Sequence, residues 1–241
     1  MAYIIYQEKE QIAEAVAAKL MMFSASATEK VDIALSGGST PKDIFRYICD
    51  IDQRYMINWE KLHFWWVDER CVAFSSDESN FGEAKRLLFD HVDIPEANLH
   101  PISRAASPEQ STIAYVQEIK RHVPLSGGVP CFDWIWLGMG EDGHTASLFV
   151  NGLALDSARW VDVAEHPQTG QLRITFNLKV INHASVVDFL VAGENKAAMV
   201  CKILCEQKVS LEYPAKYVKP EAGALTWHLD QAAALKLREI V

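Results

Sequence analysis

Residues 138–147 read GMGEDGHTAS and follow an apolar run, FDWIWL (132–137). The stretch sets Asp142 and His144 around a glycine, and a histidine with a near-neutral pKa suits proton transfer at cellular pH. Gly138 to Gly143 also fits G-x-G-x-x-G, the turn that cradles a dinucleotide. A pyrophosphate there would face Asp142, with Glu141 beside it, and like charges repel. The dinucleotide pattern expects an acid about twenty residues on, at the end of the next strand. Asp162 falls near that distance, so spacing alone does not reject a cofactor. The acids within the loop do weigh against it, and so does His144, which stands where the helix should begin. We therefore read the glycines as a sharp turn that holds Asp142 and His144 at a strand tip. The alternative is a helix-capping loop with an incidental histidine.

Three other segments carry groups of the same kind. SGGSTP (36–41) offers Ser36, Gly37, Gly38 and Ser39 ahead of a helix whose first turn suits Pro41. Ser39 or Thr40 can cap that helix, and its free N–H groups can bind an anion such as phosphate. It lacks the Lys-Ser/Thr ending of a Walker loop, and a capped turn without a ligand is the competing reading. AGENKA (192–197) puts Lys196 in a first helical turn, where a cation opposes the dipole unless an anion lies in front. Arg173, opening RITFNL, could converge on the same anion; each of these two cations also reads as a surface residue. VDERC (67–71) sets Asp68, Glu69 and Arg70 after a strand. Arg70 fits an oxyanion or a carboxylate, and an ion pair among the three fits equally well.

These groups need a frame. VDIALS (31–36), LHFWWV (62–67), FDWIWL (132–137) and VVDFLVA (186–192) are apolar on both faces, as strands of a covered parallel sheet are. Helical patterns fall at 8–23, 41–50, 79–90, 108–122 and 195–206, with Ser79 and Pro108 near two of the starts. SGGVP (126–130) and HPQTGQ (166–171) read as loops. WVDVAEHPQTGQLRITFNL reads as two strands and a turn, an antiparallel edge or flap. The alternation predicts an α/β fold: a doubly wound, mostly parallel sheet with helices on both faces, three-layered and Rossmann-like. Ligands of such sheets lie beyond the carboxyl ends of the strands, where all four segments fall.

The 241 residues are about half hydrophobic, enough for one domain over 1–241 with a substantial core. A formal charge of −9 argues against nucleic acid as a partner. The N-terminus reads as a short strand and an amphipathic helix, not a signal peptide, and no apolar run reaches membrane-spanning length. Five scattered cysteines point to a reducing cytoplasm rather than a disulfide framework. Cys201 and Cys205, four apart on a helix, read as core packing rather than as metal ligands.

Taken in order, SGGSTP, the VDER…SN block (67–80), IPEANLHPI (94–102), GMGEDGHTASLF (138–149), RITFNLKVIN (173–182), GENKA (193–197) and YPAKYV…GALTWHLD (213–230) resemble the 6-phosphogluconolactonase family over nearly the whole chain. Glu141 departs from it, standing where proline is usual. The resemblance implies hydrolysis of 6-phospho-D-glucono-1,5-lactone in the oxidative pentose phosphate pathway. It implies the fold shared with glucosamine-6-phosphate deaminases and ribose-5-phosphate isomerases, with no metal or cofactor. His144 would be the general base and Arg70 would lie near the lactone; on the chemistry of the residues, Asp142 orients the ring or shapes the loop, and Arg70 or backbone N–H groups stabilise the oxyanion. Arg173, Lys196 and the Ser36–Ser39 turn would hold the phosphate. Asp68 belongs with the substrate-binding residues, and the protein would be a monomer or homodimer.

Three rivals remain. A deaminase or isomerase on the same fold shares the GxDGH turn, but deaminases carry an acid five residues after the histidine, where this chain has Phe149. They also have a tyrosine where this chain has Arg70, although Asp68 keeps the position of their proton-abstracting aspartate. A non-catalytic sugar-phosphate sensor is the second rival; a dehydrogenase ranks third.

Overall fold

The computed structural model describes residues 2–26, 29–55, 57–150, 157–205 and 213–237, the side chains of 51–55 excepted. In chain order the elements are β1 (Ala2–Tyr6), α1 (Glu10–Ser26), β2 (Val31–Leu35), α2 (Ser39–Tyr55), β3 (Leu62–Trp66) and β4 (Asp68–Arg70). Then come α3 (Asn80–Ala84), β5 (Leu99–His100), α4 (Pro108–His122), β6 (Leu125–Ser126), β7 (Val129–Pro130) and β8 (Trp134–Leu137). The chain continues through β9 (Val161–Glu165), β10 (Leu172–Phe176), α5 (Leu178–Ile181), β11 (Val186–Val191), α6 (Ala197–Cys205) and β12 (Ala224–Asp230).

Seven strands form one sheet in the order β1-β12-β11-β8-β2-β3-β5, every pairing parallel. Every residue of β2 and β8 is buried, which is why neither strand alternates apolar with polar residues. Five tryptophans, Trp65, Trp66, Trp134, Trp136 and Trp227, are among the largest fully buried side chains. Helices pack around the sheet, as the apolar pattern predicts. A three-stranded antiparallel sheet, β4-β10-β9, forms the expected flap. No helix among the described residues is long and apolar enough to cross a membrane.

From β2 the chain steps to β3 and β5; from β8 it steps the other way, to β11 and β12. The winding therefore reverses between β2 and β8. The loops leaving these two neighbours diverge and open a crevice at their carboxyl ends. They are the SGGSTP and GMGEDGH segments.

Several local expectations change. The helix expected over 79–90 is α-helical only over Asn80–Ala84 and π-helical over Lys85–Phe89. Ser79 does cap it, its hydroxyl accepting from the Gly82 N–H. SGGVP is no loop but part of a small hairpin, β6–β7, in which Gly127 and Gly128 turn the chain at positive φ. Helix α2 starts at Ser39, two residues before the expected start. Cys201 packs against the core, whereas Cys205 is exposed.

Candidate active site

The crevice contains a cavity of about 200 Å³ lined by the β2–α2 turn, β4, the loop after β8, β10 and the loop after β11. Ser36, Gly37, Gly38, Ser39, Asp68, Arg70, His144, Arg173 and Lys196 all reach its wall. Asp142 does not line it; it braces His144 from outside.

Nδ1 of His144 lies 2.5 Å from Oδ1 of Asp142. A carboxylate only accepts, so Nδ1 is the donor in this pair, and in the neutral imidazole the lone pair is on Nε2. The hydrogen bond from His144 holds the Asp142 carboxyl at about 2, below the ordinary carboxylate range, against the opposing effect of burial. Gly140 makes the pair possible: a Cβ there would collide with both the imidazole and the Asp142 carboxylate. Gly143 turns the chain at φ +82° between the two partners. The glycines of G-x-G-x-x-G thus serve a side-chain pair. Asp162, the acid at dinucleotide spacing, lies on β9 of the antiparallel sheet, where Ser157, Arg159 and Asn177 donate to it.

Phe149, buried, lies against the imidazole, its ring centroid 5.1 Å from that of His144. Arg173 lies over the same phenyl ring at 5.6 Å and His166 meets its edge at 5.0 Å.

The cations converge. Arg173 on β10 stands opposite Arg70 on β4 in the antiparallel register. Among the described residues the Arg70 side chain makes one hydrogen bond, from Nη1 to the carbonyl of Glu78, at 2.6 Å. Its Nε, like that of Arg173, is buried without an acceptor among the described residues. Burial lowers the pKa of Arg173, with Arg70 adding to the effect and Asp68 opposing it. Lys196 makes no ion pair or side-chain hydrogen bond with any described residue.

The ion pair among Asp68, Glu69 and Arg70, which local sequence leaves open, does not form. Glu69 is buried and caps α3 instead, accepting from the N–H groups of Arg70, Asn80 and Phe81 and from the Ser79 hydroxyl. Burial raises its pKa in spite of those four bonds. Asp68 accepts from the Ser147 hydroxyl at 2.6 Å. Ser36 donates its hydroxyl to the Trp136 carbonyl, so its proton is committed to the frame.

The sequence assigns no role to two further neighbours, although Asn80 closes the VDER…SN block. Asn80 lines the cavity, donates to the Asp68 carbonyl at 2.9 Å, and fills the space beside Gly37 that a Cβ would take. Ala146, also in the wall, is the one non-glycine among the described residues with positive φ, +50°. Strain of this kind gathers at sites whose surroundings enforce it. Ser147, next along, binds Asp68 and the Thr175 hydroxyl, which holds the strained turn in place.

A family profile described as glucosamine-6-phosphate isomerases/6-phosphogluconolactonase matches residues 7–227. The chain belongs to this family. Among relatives within it, the 6-phosphogluconolactonase of Haemophilus influenzae is 40% identical over 233 residues, covering 97% of this chain and 98% of that protein. The 6-phosphogluconolactonase of Synechocystis is 42% identical over 209 residues, 86% of this chain and 84% of its own. The crystal structure of devB protein superposes with a TM-score of 0.94 at 38% identity, covering 98% of this chain and 99% of that one. The 6-phosphogluconolactonase structure from Trypanosoma brucei gives 0.84 at 27%, covering 98% of each chain. A monomeric glucosamine-6-phosphate deaminase, at 19% identity and a TM-score of 0.81, shares the family fold.

Proposed function

We propose that the chain, residues 1–241 acting as one catalytic domain, hydrolyses 6-phospho-D-glucono-1,5-lactone to 6-phospho-D-gluconate. The observation that carries this is the 2.5 Å Asp142–His144 pair at the rim of a cavity walled by Arg70 and Arg173. Nε2 of His144 takes a proton from water, and the hydroxide forms a bond to the lactone carbonyl carbon. Asp142, ionised, steadies the imidazolium. Arg70 stabilises the tetrahedral oxyanion. Collapse breaks the ring C–O bond, and the imidazolium returns its proton to the leaving ring oxygen. The new carboxyl group ionises in water. No covalent nucleophile takes part.

The phosphate is held by Arg173, Lys196 and the backbone N–H groups of the Gly37–Ser39 turn at the start of α2. Asp68 and Asn80 face the sugar ring. The substrate is a small sugar phosphate, and water is the only co-substrate.

Phe149 favours lactone hydrolysis over deamination of an amino sugar phosphate. Opening a sugar ring calls for an acid beside the histidine, and a phenyl group carries no proton. A lactone carbonyl is already electrophilic and needs no such step. Incubation with glucosamine 6-phosphate tests the distinction: the lactonase reading expects no ammonia, and acid release only from the lactone. Ammonia at an enzymatic rate without acceleration of lactone opening would favour the deaminase.

A further inference from the structure

A second cluster of titratable side chains lies at the far end of the sheet. His100, the last residue of β5, is buried, and its Nδ1 is 3.1 Å from Oε1 of Glu118 on α4. One helical turn further, His122 places Nε2 3.2 Å from the same oxygen. The three ligand atoms lie within 4.8 Å of one another. The His122 carbonyl accepts from Lys30 at 2.6 Å, just before β2 begins, whereas the cavity opens where β2 ends. The cluster is thus separate from the active site.

We propose that His100, Glu118 and His122 bind a divalent transition metal of the zinc class, with water completing the shell. Two imidazole nitrogens and one carboxylate oxygen are a donor set suited to zinc, and a fourth position is left for solvent. Zinc–ligand bonds of about 2.0–2.1 Å set tetrahedral ligand atoms roughly 3.3 Å apart. Two of the three separations already match, at 3.1 and 3.2 Å. Only the His100–His122 separation has to close. The His122 side chain is 39% exposed and Glu118 33%, so both can move and an ion can enter.

An outer partner is in place. Nε2 of His100 lies 2.9 Å from Nδ1 of His63, and Trp65 stacks on the His100 ring at 4.0 Å and 7°. Metal ligation at Nδ1 moves the His100 proton to Nε2, which then donates to His63, as ligating histidines usually donate to a neighbour. Arg121 bonds the other Glu118 oxygen, at 3.1 Å, and leaves Oε1 available. Such a site ties the end of α4 to the edge strand β5. It is a clamp on the fold and lies outside the proposed chemistry.

Titration of the metal-stripped full chain with zinc, and separately with cobalt(II), tests this. One equivalent should bind, cobalt should show tetrahedral absorption bands, and zinc should raise Tm. His122→Ala and Glu118→Gln, both at partly exposed positions, should abolish the equivalent while lactone hydrolysis stays at wild-type rate. His63→Asn should weaken zinc roughly 10–100-fold, as loss of an outer partner does. His144→Ala, which disables the other histidine–carboxylate pair, should keep the equivalent. Failure to bind zinc, or binding unaltered by His122→Ala and lost with His144→Ala, would overturn the proposal.

Discussion

Arg70 and Arg173 stand directly opposite each other across the β4–β10 ladder, and each holds a buried Nε with no acceptor among the described residues. Like charges facing one another across a sheet destabilise it, and buried donors without partners add to that cost. An anion in the cavity offsets the repulsion. Inorganic phosphate or 6-phosphogluconate should therefore raise Tm of the wild-type protein.

Arg173→Ala and Lys196→Ala should each weaken binding of the phosphorylated substrate roughly ten- to a hundredfold, the worth of a lost charge-assisted hydrogen bond of about 1.5–3 kcal/mol. Their effect on unphosphorylated gluconolactone should be small. Equal handling of the two lactones by the wild-type protein would remove the phosphate assignment.

How much of this the sequence discloses depends on the range of the contacts. β2, β3, β8 and β11 are legible because burial on both faces leaves a continuous apolar run. The winding reversal, and with it the crevice, follows from their order. β12 (Ala224–Asp230) is not read as a strand, yet it lies between β1 and β11. From Leu225 to Asp230 its apolar and polar residues alternate, so it lacks the near-continuous apolar run that marks the others. The roles of Asn80 and Ser147 are illegible for another reason. Each contacts Asp68 from outside its strand, Asn80 from the end of the same block and Ser147 from a distant loop, and no periodicity encodes either contact. The Arg70–Arg173 opposition likewise appears only once the β4–β10 register is known.

Gly140→Ala should lower kcat by about 10²-fold or more, because a displacement of roughly 1 Å at a catalytic group has that effect. The added methyl meets His144 and Asp142, not the phosphate-binding groups, so KM should change little. Steady-state kinetics on a variant with a wild-type circular dichroism spectrum would show this. A variant with unchanged kcat would mean the imidazole tolerates movement and is not positioned by the turn.

Stability should fall on mild acidification. His63 and His100 stay near 4 in the fold, chiefly through burial, against an ordinary value of 6.5. Between those pH values the unfolded chain binds more protons, so lowering the pH favours unfolding. The contribution is complete above about pH 6.5 and is lost as pH falls through about 4. Lys30 and His122 add to the shift at His63. Tm of the metal-stripped protein, measured from pH 7.5 down to 4.5, should drop, and His63→Asn should flatten the slope. An identical slope in the variant would place the acid sensitivity elsewhere.

In the proposed mechanism His144, braced by Asp142, activates water against a phosphorylated lactone. The most direct test is the rate of 6-phosphogluconate formation from freshly generated lactone, corrected for spontaneous opening, in wild type and His144→Ala. The wild-type protein should accelerate opening well beyond the spontaneous rate. The variant, still folded, should lose roughly 10²–10⁴ of kcat, the usual contribution of a general base. A folded His144→Ala protein that opens the lactone at the wild-type rate would contradict the account.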